Sequence, residues 1–141
     1  ECFGGQGYIE DTGLPALLRD CQVLSIWEGT TNVLSLDVLR VLEQGNALEV
    51  FVADIEQRME SLASASLIES REAVLAGLKR IMAWSVEASA GGREALEAGA
   101  RRFAFSLARI RAAALLAGAA QQGSLDHDVV QRWCRQRLAL V

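Results

Sequence analysis

The sequence has 141 residues, of which 51% are hydrophobic and one is proline, and its net charge is −4. This length suits one packed domain with a single core, and the composition is that of a helical protein rather than of a disordered chain. Arg, Glu or Gln interrupts every apolar run before the roughly 18 to 20 residues that cross a bilayer, so we expect no membrane span.

The charge is unevenly divided along the chain. Residues 1–66 carry 11 acidic and 3 basic side chains, whereas residues 67–141 carry 7 acidic and 11 basic ones. A positive second half could attract an anionic partner such as DNA. Its arginines lack interleaved aromatic residues and a nucleic-acid motif, so we favour a solvated or subunit-facing helix surface.

The chain begins with a glycine-rich run, in which Gly4, Gly5 and Gly7 precede Tyr8. These residues belong to the most informative part of the sequence, which lies before position 43. The first residue is Glu1 rather than Met, and no leader-like segment precedes the glycines. We therefore expect the sequence to start within a longer protein.

A carboxylate and two threonines precede the first apolar helix. Residues 27–32, Trp-Glu-Gly-Thr-Thr-Asn, lead directly into the apolar run 33–42. Two interpretations are open. In the first, Thr30 or Thr31 caps the helix and Glu28 favours the positive end of its dipole. In the second, the helix start presents N–H groups and hydroxyls to a phosphate or another polar ligand group.

The apolar residues are spaced as in helices through the rest of the chain. Gly45 and the Gly91-Gly92 pair are expected to end two of these helices. The predicted helices run from about Thr31 to Glu43, Leu48 to Leu62, Val74 to Ala88, Leu96 to Ala117 and Asp126 to Leu138.

The links between the predicted helices are short. Residues 63–66 and 121–125 are predicted loops, because small or helix-capping residues collect there. Short links favour antiparallel neighbours, so we predict an all-α antiparallel helical bundle of about four main helices without a β-sheet. One domain would span 1–141, with loops and a short helix in 1–32 and the bundle helices in 33–141.

Cysteine and histidine give little sign of a metal site. Cys2, Cys21 and Cys134 are widely separated and form no CxxC pair. We predict reduced thiols packed as small apolar groups, as in a cytoplasmic protein. Structural zinc needs four closely spaced Cys or His ligands, and the chain has a single histidine, His127. We interpret His127 as an exposed polar residue near a helix start.

Three motifs occur in one order before position 43. Residues 1–8 are Glu-Cys-Phe-Gly-Gly-Gln-Gly-Tyr, residues 18–20 are Leu-Arg-Asp, and residues 26–32 are Ile-Trp-Glu-Gly-Thr-Thr-Asn. Together they resemble the C-terminal signature of the acyl-CoA dehydrogenase family. Residues 25–40 most resemble the AidB-type branch, which is associated with the alkylation response. After position 45 we find only a similar helical pattern.

The resemblance implies a parent enzyme that carries FAD, oxidises an acyl-CoA thioester to the trans-2-enoyl product and passes electrons to an electron-transferring flavoprotein. A base removes the α-proton while the β-hydride leaves to flavin N5. In many members this base is the Glu of a Tyr/Trp-Glu-Gly-Thr motif, which implies Glu28 here. Some branches place the base on an earlier helix. The backbone N–H of Glu28 would bind the thioester carbonyl.

The resemblance also implies which residues bind the cofactor. Thr30 and Asn32 would contact FAD around its diphosphate and adenosine, which agrees with the second interpretation of the helix start. Gly4 and Gly5 would let the backbone approach the FAD of a neighbouring subunit closely, because a Cβ there would intrude. Glu1 lies where many members have Gln.

The same motifs imply roles for neighbouring side chains. Trp27 and Gly29 would bind substrate, with Ile26 and Trp27 excluding water from the base. Core filling is an equally open role for Trp27. Arg19 and Asp20 are interpreted as a structural ion pair or cap.

The family resemblance implies an assembly larger than this chain. The parent would be a homotetramer, a dimer of dimers, with the bundle supplying much of the subunit contact. Its N-terminal helical domain and β-domain do not fit in 141 residues, so we expect the chain alone neither to retain FAD nor to oxidise acyl-CoA. Two alternatives are an AidB-type DNA-associated flavin protein with weak or no dehydrogenase activity, and a purely oligomerising bundle.

Overall fold

The computed structural model describes residues 2–141, and every regular element in that part of the chain is helical. Its α-helices are α1 Leu14–Val23, α2 Thr31–Glu43, α3 Ala47–Glu60, α4 Ile68–Ala90, α5 Gly92–Gln121 and α6 His127–Cys134. Short 3-10 helices lie at Gly4–Gly7, Glu10–Thr12 and Ala65–Leu67. The predicted all-α class is confirmed.

The two longest helices begin earlier than their apolar stripes. α4 starts at Ile68 rather than near Val74, and α5 starts at Gly92 rather than near Leu96. Each has a glutamate in its first turn, where a negative charge favours the helix dipole. Because these first turns are largely polar, the spacing of buried residues marks the helix start too late.

The chain divides into two compact units, and the first ends at Leu34. Its helix α1 begins after Gly13, whose φ of +74° is rarely adopted by a residue with a Cβ. Pro15 lies in the first turn, where its missing N–H costs no helix bond, and it is the buried residue of α1. Other apolar side chains of this unit, such as Leu17 and Leu24, are exposed.

The second unit, Ser35–Val141, is built around the helix pair α4 and α5. A single glycine joins the two helices. Trp84 of α4 stacks on Phe103 of α5. Gly77, which lies closer to the start of α4, is next to Ile110, which lies further along α5. Residue numbers decrease along α4 as those of their neighbours increase along α5. The two helices therefore run antiparallel, as predicted.

The core of the second unit combines large side chains with small ones. Ile55, Met59 and Phe103 are fully buried, and burying a side chain of this size contributes about 1.5–3 kcal/mol. The buried face of α5 is rich in alanine, which lets neighbouring side chains pack closely against its backbone.

The alanine-rich helix α5 is also apolar enough, by length and composition, to cross a membrane. One 18-residue window has a mean hydropathy of 1.4, although we expected no such run. In the structure α5 is a core helix with nine buried residues. A core helix can be as apolar as a membrane span, and 39% of that window is buried in the structure.

The C-terminal segment leaves the helix earlier than predicted. α6 ends at Cys134 rather than near Leu138. Leaving the helix allows Leu138 and Ala139 to be almost completely buried in the core. Ser106 of α5 holds this segment, because its hydroxyl accepts the N–H of Leu140 at 2.8 Å.

Candidate functional site

Glu28 lies in a tight turn between α1 and α2. The N–H of Trp27 donates to the Val23 carbonyl at 2.8 Å, and the N–H of Gly29 donates to the Ile26 carbonyl at 3.2 Å. Glu28 has a φ of +59°, and within residues 2–141 it is the one residue other than glycine with a positive φ. This conformation costs a residue with a Cβ about 1–2 kcal/mol. Such backbone strain concentrates at functional sites.

Two polar groups of Glu28 have no hydrogen-bond partner among the described residues. Its side chain is exposed. In the described part of the chain, no acceptor binds its backbone N–H. A general base needs an accessible carboxylate, and a carbonyl-binding site needs a backbone donor that is not already used. One residue therefore offers both.

Helix α2 begins directly after this turn. The N–H of Leu34 donates to the Thr30 carbonyl at 3.0 Å, which places Thr30 at the N-cap position. Thr30 and Asn32 are both exposed. The first N–H groups of a helix have no carbonyl within the helix to bind, and they can bind an anion. The structure thus brings the predicted base and two predicted cofactor-binding residues together at one helix start.

Two large apolar side chains beside Glu28 are uncovered in this chain. Ile26 is 66% exposed and Trp27 is 62% exposed. Core filling, one of the two roles left open for Trp27, is therefore wrong for this chain. Large apolar side chains that cluster on a surface mark a place where a ligand or another protein surface binds.

The glycine segment, Gly4–Gly7, forms a 3-10 helix that packs on α1. The hydroxyl of Thr12 donates to the Gln6 carbonyl at 2.9 Å and so ties this helix to the next one. Gly4 has a φ of +52°, and a Cβ built on Gly4 or Gly5 would meet nothing within 4 Å. The backbone at both predicted cofactor-binding glycines therefore faces open space. Glu1 lies outside the described residues.

Arg19 pairs with Glu10 rather than with Asp20, which corrects our prediction. The Arg19 guanidinium donates to both carboxylate oxygens of Glu10, at 3.0 and 3.1 Å. Adjacent residues of a helix point in different directions, so Arg19 and Asp20 do not face each other. The hydrogen bonds and charge of Arg19 lower the pKa of Glu10. The predicted structural role of Arg19 is retained, with the pair joining α1 to the preceding 3-10 helix.

Three residues that shape this unit were not predicted from the sequence: Glu10, Thr12 and Val33. Glu10 and Thr12 bind partners nine and six residues away, and no helix or strand spacing pairs such positions. The side chain of Val33 lies where a Cβ on Gly29 would point. The signal for this placement was a glycine four positions before a β-branched residue, a spacing that brings two residues together once a helix starts.

Two expectations about polar residues are wrong. Cys2 and Cys21 are exposed rather than packed, because few side chains of the first unit are buried. Cys134 is half-buried, and burial raises the pKa of its thiol. His127 is half-buried, and its Nε2 is buried without a hydrogen-bond partner among residues 2–141. Over the same residues, no three His, Cys, Asp or Glu side chains are grouped so as to hold a metal ion.

Several arginines of the second unit bind partners within the chain. Arg111 of α5 pairs with Asp54 of α3, which also binds Arg58 at 2.9 Å. Arg109 donates to the Gln136 side chain at 2.8 Å. The Arg111 contact joins α5 to α3, and the Arg109 contact joins α5 to the segment that follows α6, so these two arginines have a structural role.

Two family models match consecutive stretches of the chain. Residues 1–43 match the C-terminal domain of acyl-CoA dehydrogenase, and residues 46–141 match a model described as Acyl-CoA dehydrogenase 11 C-terminal domain-like. The second match corrects our view that only a helical pattern is shared after position 45. The two stretches meet in the link between α2 and α3.

Relatives and a solved structure agree with these matches. The chain is 47% identical to acyl-CoA dehydrogenase family member 11 of Caenorhabditis elegans, over 95% of this chain and 23% of that protein. It is 54% identical to the putative acyl-CoA dehydrogenase AidB of Escherichia coli over 44 residues, 31% of this chain. A crystal structure of C. elegans ACDH-11 in complex with C11-CoA has 46% identity and a TM-score of 0.86 over 98% of this chain.

The extent of these matches defines what the chain represents. It spans 23% of family member 11 and 25% of the crystallised ACDH-11 chain. The AidB-type resemblance is partial, whereas the family model for residues 46–141 covers more than half of the chain. The chain therefore belongs to the acyl-CoA dehydrogenase family and represents its C-terminal helical region.

Proposed function

We propose that this chain is the C-terminal region of an FAD-dependent acyl-CoA dehydrogenase in which Glu28 is the catalytic base. The observation that carries the proposal is the turn at Glu28, where the residue has a φ of +59°. At the start of α2, the turn leaves the carboxylate exposed and the backbone N–H of the same residue without an acceptor among residues 2–141.

The proposed reaction forms a trans-2 double bond in an acyl thioester. The Glu28 carboxylate takes the α-proton, and the electron pair of that C–H bond forms the double bond as hydride leaves the β-carbon. When bound, FAD supplies the acceptor for this hydride at flavin N5. The Glu28 N–H donates to the thioester carbonyl and so stabilises the negative charge that develops when the α-C–H bond breaks.

The residues present fit an anionic dinucleotide cofactor such as FAD. Thr30 and Asn32 are exposed at the start of α2, where N–H groups and the helix dipole favour a diphosphate. Gly4 and Gly5 leave space in which a Cβ would otherwise lie. We propose that these four residues contact FAD, with the glycines reaching the cofactor of a neighbouring subunit.

The proposed substrate is an acyl-CoA. The crystallised relative ACDH-11 is in complex with C11-CoA. In this chain, Trp27 and Ile26 are exposed next to Glu28 and provide apolar surface for an acyl chain. Gly29 has no side chain to obstruct the thioester next to the base. Trp27 and Gly29 are therefore proposed to bind substrate.

We also propose the partners that the family resemblance implies. The parent would assemble as a dimer of dimers and pass electrons to an electron-transferring flavoprotein. Three free thiols support a cytoplasmic location. The DNA-associated alternative is not proposed, because the match to AidB covers 31% of this chain, whereas the match to acyl-CoA dehydrogenase family member 11 covers 95% of it.

Glu28→Gln in the full-length protein tests the assignment. Glutamine retains the size of the side chain but cannot accept the α-proton, so kcat for acyl-CoA oxidation should fall by about 10²–10⁴-fold. Flavin absorbance should be unchanged, because the N-cap and the glycine segment remain. Glu87→Gln, an exposed glutamate of α4, is the matched control and should leave kcat unaltered. Undiminished turnover in Glu28→Gln would place the base elsewhere.

A further inference from the structure

The turn that carries Glu28 rests against one side chain of α2. This inference depends on the function proposed above. We propose that Val33 is a positioning residue, whose β-branched side chain supports Gly29 and so holds Glu28 in its left-handed conformation. The role concerns the rate of the chemical step rather than the binding of substrate or cofactor.

The side chain of Val33 lies next to the Gly29 backbone, on the side where a Cβ would point. A Cβ built on Gly29 would lie 3.2 Å from Cγ1 and 3.4 Å from Cβ of Val33. The next nearest atom, Cδ2 of Leu34, would be 3.8 Å away. Val33 is therefore the nearest side chain on that side of the Gly29 backbone.

The side chain of Val33 is not part of the hydrophobic core. It is 49% exposed, and the buried residues of α2 are Ser35 and Leu39. Truncating a half-exposed valine removes little buried apolar area, so the unfolding equilibrium should change little. A loss of function on truncation would then report on the turn.

β-branching fixes the position of the contact. In a helix, valine strongly prefers one χ1 rotamer, so its two γ carbons keep a defined position relative to the backbone. Val33 lies in the first turn of α2, four positions after Gly29. A stiff side chain on a helix that has already formed can act as a fixed support for a turn.

Support at Gly29 matters because Glu28 is strained. Gly29 has a φ of +128° and Glu28 a φ of +59°, and left-handed backbone is costly for a residue with a Cβ. If the support is removed, the turn can move toward Val33 and Glu28 can relax to negative φ. Relaxation would change the direction of both the carboxylate and the N–H of Glu28 relative to the start of α2.

The experiment compares three variants of the full-length enzyme. Val33→Ala removes both γ carbons, whereas Val33→Ile retains them. Val41→Ala is the matched control, because Val41 lies on the same helix and is 58% exposed. For each variant, kcat and KM for an acyl-CoA, flavin absorbance and the thermal unfolding midpoint are measured.

Val33→Ala is expected to lower kcat about tenfold, since small displacements of a catalytic group have large effects on rate. KM and flavin content should stay within about twofold of the parent, and Val33→Ile and Val41→Ala should behave like the parent. Equal kcat in Val33→Ala and Val41→Ala would overturn the proposal. So would loss of flavin from Val33→Ala, or a kcat in Val33→Ile as low as that in Val33→Ala.

Glu28→Gln separates this inference from the proposed function. Full turnover in Glu28→Gln would remove the proposed base and, with it, any role for Val33 in positioning it. Loss of turnover in Glu28→Gln, together with normal kcat in Val33→Ala, would leave the proposed function intact and overturn the positioning role alone.

Discussion

Gly99 shows how one missing side chain permits the packing of two helices. A Cβ on Gly99 would lie 2.1 Å from Cζ2 of Trp84, and the Trp84 ring stacks on Phe103 with centroids 4.8 Å apart. Gly99→Ala should force the indole off its stacking partner and lower the free energy of unfolding by about 1–3 kcal/mol. Urea-induced unfolding measured by circular dichroism would detect the change.

Gly118 provides the control for Gly99, because it lies on the same helix and a Cβ there would meet nothing within 4 Å. Gly118→Ala should raise the free energy of unfolding by about 0.5–1 kcal/mol, since alanine loses less backbone entropy in a helix than glycine. Destabilisation by both substitutions to the same extent would show that steric overlap with Trp84 is not the cause.

For individual residues, the sequence predicted which residue types lie at the candidate site, but it did not predict their backbone conformation or their partners. The motif around Glu28 predicted that a carboxylate precedes a helix start, and α2 begins at Thr31. The role of Glu28 as base stays a prediction. The left-handed φ of Glu28 was not predicted, because glutamate has no preference for that conformation and the turn closed by the Gly29 N–H imposes it. Arg19 was predicted to have a structural role, but its partner Glu10 depends on the path of the chain between them.

Among the elements, the link between α5 and the C-terminal segment depends on one hydroxyl. The Ser106 side chain is fully buried, donates to the Arg102 carbonyl at 2.7 Å and accepts the Leu140 N–H at 2.8 Å. Ser106→Ala would leave that N–H without an acceptor, so the free energy of unfolding should fall by about 1–3 kcal/mol. The Leu140 amide should also exchange faster with deuterium.

Ser89→Ala is a suitable comparison for Ser106→Ala. Ser89 of α4 is exposed, and its hydroxyl bonds only locally, to the Ser85 carbonyl at 2.6 Å. Its substitution should change the free energy of unfolding by less than about 0.5 kcal/mol. If the two serines gave equal effects, local helix propensity rather than the bond to Leu140 would explain the Ser106 result.

Helix boundaries followed the sequence where local signals decide them. α2 has the bounds Thr31–Glu43 that its apolar spacing predicted. α6 does not follow the spacing, because burying Leu138 and Ala139 in the core requires the chain to leave the helix after Cys134. Burial of this kind depends on other helices and overrides local propensity.

For the whole molecule, the two units differ in how well they bury apolar residues. The core lies in the second unit, from Leu39 to Ala139. In the first unit, Tyr8 is 86% exposed and Leu24 is 74% exposed. We predicted one domain from periodic spacing, and spacing does not reveal whether a surface will be covered by a ligand or by another part of the parent protein.

The exposed first unit determines what the 141-residue chain can do alone. The residues proposed to contact cofactor and substrate lie on open surface, and the chain spans 23% of family member 11. A site with so few walls buries little of a ligand and cannot exclude water. The purified chain is therefore expected to lack flavin absorbance and to leave acyl-CoA unoxidised, whereas the full-length protein is expected to show flavin absorbance and to oxidise acyl-CoA. A yellow preparation of the chain alone, with flavin that survives gel filtration, would show that these few residues suffice to hold the cofactor.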